Sequence, residues 1–141
     1  MNHYSYEELS VGMTESFQAA VEPEMMDMFR RITGDDNPLH SDEAFARSMG
    51  YPGRVAYGML TASFLSTLAG VYLPGENSLI LETDVKFARA VFPGDRLTVK
   101  GTVKEKNDTF SFIVLKVEIT NQEGEKVVRG TMKVGVLDGK G

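Results

Sequence analysis

No cysteine occurs anywhere in the chain, and histidine occurs only twice, at His3 and His40. The first absence excludes a disulfide framework and a thiol nucleophile. It is compatible with a reducing compartment, so cytoplasmic residence is the expectation. The scarcity of both residue types leaves too few ligands for an ordinary zinc site, and neither a metal nor a cofactor is expected. Basic residues are in the minority, 15 Lys and Arg against 20 Asp and Glu, for a net charge of -5 at pH 7. Nucleic acid and anionic membrane surfaces select for clustered Lys and Arg, so neither is expected as a partner. Residues 1–9 lack both the basic segment and the apolar run of a secretory signal.

What the chain does have is 42% hydrophobic residues in 141 positions, enough for one domain, 1–141, with a single core. Its first half shows helical periodicity and turn signals, and its second half alternates with period two, the pattern of an α+β fold. Glu22-Pro23-Glu24 opens a helix through residue 31, with proline in the first turn and acidic residues at the positive end of the dipole. Ser41-Asp42-Glu43 supplies the cap and acidic first turn of a second helix, stopped by Gly50 and Pro52-Gly53.

Residues 55–73 carry no charge at all. That length approaches a bilayer span, but Thr61, Ser63, Ser66 and Thr67 interrupt it and no basic cluster flanks it, which predicts a helix buried on nearly every side. Four strands are predicted at 78–88, 96–106, 109–122 and 126–137, separated by Pro93-Gly94-Asp95, Asn107-Asp108 and Asn121-Gln122-Glu123-Gly124. Along the last two strands apolar and polar residues alternate, so each has one dry face. Curling such a sheet around the uncharged helix is the simplest way to cover both, a hot-dog arrangement.

Chemistry concentrates in Thr33-Gly34-Asp35-Asp36-Asn37-Pro38-Leu39-His40. Gly34, the Asp-Asp-Asn run and Pro38 predict a short rigid loop. It holds carboxylates and an imidazole close enough to share one water or one substrate proton. The same spacing also fits an Asx turn beside a solvated histidine. Elsewhere Lys86, Arg89 and Arg96 could meet a phosphate at the mouth of a site.

The loop, followed by Tyr57-Gly58-Met59-Leu60 and by Phe87-Ala88-Arg89-Ala90-Val91-Phe92-Pro93-Gly94-Asp95, resembles the MaoC-type hot-dog dehydratases. It is similar to the single-domain (R)-specific enoyl-CoA hydratases over roughly residues 20–137. The resemblance implies reversible hydration of a trans-2-enoyl thioester, on CoA or an acyl-carrier protein, by a hydro-lyase acting as a homodimer with sheets joined edge to edge. It places the catalytic pair at Asp35 and His40, not Asp36. The oxyanion-binding amide falls at Gly58, and the further substrate-binding positions at Ser66, Tyr57 and Asn37. Tyr57 stands where the family commonly has histidine. A hot-dog thioesterase and a non-catalytic acyl-thioester binding module are the alternative readings.

Overall fold

The computed structural model describes residues 1–139. The elements follow the order β1 (Thr14–Ala20), α1 (Pro23–Thr33), α2 (Pro38–Ser41), α3 (Glu43–Ser48), α4 (Gly58–Thr67), β2 (Ser78–Phe87), β3 (Arg96–Asn107), β4 (Phe112–Thr120) and β5 (Lys126–Val136). A π-helical extension, Leu68–Tyr72, continues α4. The strands form one antiparallel sheet in the order β1-β3-β4-β5-β2.

Alternation sets the dry face. Val99 and Val103 of β3, Ile113, Leu115, Val117 and Ile119 of β4, and Met132 and Val134 of β5 are all buried, and they pack with Leu60, Leu65 and Leu68 from the helix. Five strands laid flat would separate the two sheet edges by about 19 Å. Yet Leu68–Tyr72 contacts both edge strands, β1 and β2, so the sheet is curled around the helix. This is the hot-dog arrangement. Phe17 of β1 stacks on Tyr72 at 4.8 Å and fastens one edge. In the middle of β3 a Cβ on Gly101 would lie 2.9 Å from Leu68 Cδ2, so Leu68 packs against the strand at a position that has no side chain.

The structure corrects four expectations. A fifth strand, β1, precedes the helices; its sequence, TESFQAA, has an irregular polar pattern with no turn signal before α1 that resembles those of the later hairpins. The segment expected as a loop contains a full helical turn, α2, with Pro38 in its first position and Asn37 as its cap. Asp42, not Ser41, caps α3, accepting from the Phe45 amide at 3.0 Å. The uncharged segment is helical only from Gly58, and α4 is buried on one side: Met59, Ser63 and Ser66 are exposed. The sheet curls past α4 on one side and stops at β2, which leaves the other side open. Among the described residues no helix is long and apolar enough to cross a membrane.

The tight approach of Leu68 to Gly101 yields a stability test. Gly101→Ala should cost about 1–2 kcal/mol through overpacking, a fall of several degrees in Tm. In a Leu68→Ala background, where the clash is gone, the same change should cost much less. Calorimetry on the four proteins gives the coupling, and strict additivity would contradict the contact.

Candidate active site

The site begins where α1 ends. Gly34 adopts the left-handed conformation (φ 74°) that closes the helix, its amide donating to the Arg30 carbonyl at 2.8 Å. Two Asx turns follow in succession. The Asn37 amide donates to Asp35 Oδ1 at 3.0 Å, and the Leu39 amide donates to Asn37 Oδ1 at 3.0 Å. The Asp35 amide is held by Thr33 Oγ1 at 3.2 Å. Asp36 points elsewhere and pairs with Arg30 Nε at 2.6 Å. The two adjacent carboxylates are thus sorted, with Asp35 lining a cleft and Asp36 tied to α1.

His40 lies in α2 with its ring half-buried. Its Nδ1 is 2.7 Å from the Val55 carbonyl oxygen. A carbonyl only accepts, so Nδ1 carries the proton and Nε2 of the neutral ring is the bare, basic nitrogen. Residues 55–57 are pinned from both sides. The Val55 amide donates to the Leu39 carbonyl at 3.1 Å, and the Ala56 amide to the Val91 carbonyl at 2.7 Å. This delivers Tyr57 as the residue that precedes α4.

Tyr57 is buried, and its hydroxyl donates to the Asp35 main-chain carbonyl at 2.8 Å. Its ring packs between His40, at 4.1 Å, and Phe29, at 5.0 Å. Burial, and after it the nearby Asp35 charge, pushes the phenol above its ordinary pKa and keeps it a donor. Gly58 opens α4, so its amide is one of the four N–H groups that the helix cannot pair within itself. A Cβ at this position would sit 3.3 Å from the Phe87 ring.

Two cavities meet here. One, of about 510 Å³, is bounded by Asp35, His40, Tyr57, Gly58, Met59 and Phe29 among others. The second, of about 310 Å³, runs from His40, Gly58 and Phe87 toward Thr61, Val127 and Arg89. His40, Gly58 and Phe87 belong to both. A carboxylate, a basic imidazole nitrogen and a helix-start amide therefore border one cleft. They can take a proton, return it and hold a negative oxygen.

The remaining sequence-derived positions divide. Asn37 spends its side chain on the α2 cap. Ser66 lies on the open face of α4, eight residues and about 12 Å along the axis from Gly58, and lines neither cavity. Of the three bases considered for a phosphate, Arg89 alone borders one of these two cavities, and it pairs with Glu125 at 3.0 Å. Among the described residues no three His, Cys, Asp or Glu side chains are grouped to hold a metal ion. Sequence reasoning missed Thr61. It is 1% exposed, faces the smaller cavity, and its hydroxyl has no hydrogen-bond partner among the described residues. The available signal was a threonine one turn after Gly58, where the resemblance places the oxyanion-binding amide.

The chain is similar to known hydratases and dehydratases. The chain is 35% identical over 100 residues to a 3-hydroxybutyryl-CoA dehydratase of Methylorubrum extorquens, covering 71% of this chain and 64% of that one. It is 29% identical over 134 residues to an (R)-specific enoyl-CoA hydratase of Rhodospirillum rubrum, covering 95% and 92%. An unliganded R-hydratase structure from Pseudomonas aeruginosa superposes with a TM-score of 0.89 at 30% identity, covering 95% of this chain and 86% of that one. With the family model described as a MaoC like domain matching residues 8–127, the chain belongs to the MaoC-like family.

Proposed function

We propose that this protein catalyses the reversible hydration of a trans-2-enoyl thioester, on CoA or a carrier protein, to the 3-hydroxyacyl thioester. The observation that carries this reading is the convergence of Asp35, His40 and the Gly58 amide on one cleft. Hydration forms a C–O bond at Cβ, shifts the Cα=Cβ electron pair toward the thioester carbonyl, and then protonates Cα. Each step has a group suited to it. With Nδ1 committed to Val55, His40 Nε2 takes a proton from the water. Asp35 accepts one hydrogen bond from the Asn37 amide and faces the cleft with its remaining acceptor capacity, fit to hold the same water. The Gly58 amide meets the charge that develops on the carbonyl oxygen. The proton removed from water then returns to Cα.

We also infer a homodimer joined along β2. Among the described residues β2 is paired on one side, to β5, and it leaves Leu79 52%, Leu81 52% and Phe87 50% exposed, with Met59 of α4 66% exposed beside the same cleft. An open ten-residue edge strand, half of it apolar, is a template for pairing, and a second copy of the same strand closes it symmetrically. Light scattering at micromolar concentration should give twice the chain mass of 15.6 kDa; a monomer would refute the dimer.

Asp35→Asn and His40→Ala should each lower kcat by about a hundredfold or more with unchanged circular dichroism, whereas Asp36→Asn should change it little. The assay follows loss of the conjugated-enoyl absorbance and, in parallel, thiol release. Thiol release without loss of the conjugated alkene would mean thioesterase chemistry, and binding with neither change would mean a silent module. Near-normal turnover by either single variant would overturn the assignment of the pair.

Thr61 supplies a separate test. Removing an unpaired buried hydroxyl by the near-isosteric Thr61→Val should stabilise the free protein by about 1 kcal/mol, a rise of about 3 °C in Tm. If that hydroxyl meets a polar group of the bound thioester, KM should rise several-fold in the same variant. A Tm gain with an unchanged KM would remove Thr61 from the binding site.

A further inference from the structure

We infer that Tyr57 is the positioning residue of this site: from the start of α4 it holds Asp35 by its hydroxyl and backs His40 with its ring, and so fixes the spacing of the pair. The inference rests on the proposed roles of Asp35 and His40.

The local turns cannot do this alone. The bonds from Thr33, Asn37 and Arg30 hold residues 34–37 relative to their own neighbours. Among the described residues, the bond from the Tyr57 hydroxyl to the Asp35 carbonyl, spanning 22 positions, is the one hydrogen bond that ties residues 34–37 to the α4 side of the site. Without it the exposed Asp35 segment would be located only at its two ends, by α1 before it and by Asn37 and α2 after it, and the carboxylate would lose its registration with the Gly58 amide. Shifts of an ångström between reacting groups are enough to lower a rate substantially.

The ring works on the other partner. Lying 4.1 Å from the His40 ring at an interplanar angle of 31°, it limits rotation of the imidazole about the Val55 bond, and Phe29 supports it at 5.0 Å. Tyr57 is 3% exposed, so the ring has no space to swing away. A residue serving only as core filler has no need of a hydroxyl in this position, since phenylalanine would fill the same volume without a polar group to satisfy. Nor is the hydroxyl free to serve the substrate carbonyl, because its proton is directed at Asp35. Oxyanion binding falls to the Gly58 amide, and Tyr57 acts through Asp35 and His40.

Tyr57→Phe keeps the ring and deletes only the tether. It should lower kcat about tenfold, the equivalent of one hydrogen bond, with KM within twofold and circular dichroism unchanged. Hydrogen exchange in a peptide covering residues 34–37 should accelerate. The decisive measurement is a double-mutant cycle with Asp35→Glu, whose carboxylate is already displaced by one methylene: there Tyr57→Phe should cost almost nothing further. An equal loss in both backgrounds, or a Tyr57→Phe protein with wild-type kcat and exchange, overturns the inference. Full activity in Asp35→Glu and Asp35→Asn would instead overturn the proposed function, so the two failures are distinct.

Discussion

An α-helix cannot pair its own first amides, and the site is organised around the start of α4, where that deficit is placed beside a cleft. For Gly58 to present its amide there, the chain must arrive in an extended conformation, and residues 55–57 are held so by bonds to Leu39 on one side and Val91 on the other. The same incoming segment supplies the carbonyl that fixes the His40 tautomer and the phenol that holds Asp35. The Gly58 amide, the His40 ring and the Asp35 loop are therefore all located by residues 55–57.

That helix start is in turn located by the curl of the sheet. An uncharged helix has no preferred face by hydrophobicity, so its rotation is set by shape, and Leu68 fits closely over Gly101, which has no side chain. Once Leu68 is seated, Leu60, Thr61 and Leu65 turn inward and Met59, Ser63 and Ser66 turn out. Gly58 then lies at the boundary, exposed enough to be reached and close enough to Phe87 to allow no side chain without a shift. The face left open on α4 and the open edge of β2 are consequences of the same geometry, because a five-stranded sheet can wrap one helix only part of the way round.

Much of this was legible in the sequence, for physical reasons that differ from element to element. In β4 burial follows residue parity, so its dry face could be read directly from the alternation of isoleucine, leucine and valine with lysine and glutamate; in β5 adjacent residues are buried at both ends, Val127 with Val128 and Val134 through Val136, which the alternation did not show. Strand β1 was missed because it is an edge strand whose few apolar residues do not set a pattern. The turn α2 was missed because four residues are too few to show helical periodicity, and proline and asparagine suit a helix start as well as a loop. Burial of the long apolar segment was overestimated, since lack of charge shows that a surface avoids water and not which body covers it. Ser66 illustrates the same limit: its place on the helix was readable, but within one chain it faces outward, away from both cavities.

Two buried hydroxyls separate the parts of the site that belong to the fold from the part that is left for a ligand. Tyr57 and Thr61 lie four residues apart, and each would cost free energy if it stayed unpaired. Tyr57 is paired within the chain, so its hydroxyl is part of the scaffold. Thr61 is not paired among the described residues, although it faces a cavity that begins at His40 and Gly58. Had the cavity been meant only to be filled by packing, valine would serve better at this position, having the same shape with nothing to satisfy. A fold that satisfies one hydroxyl and leaves its neighbour without a partner among the described residues has the polarity of a binding surface at the second position.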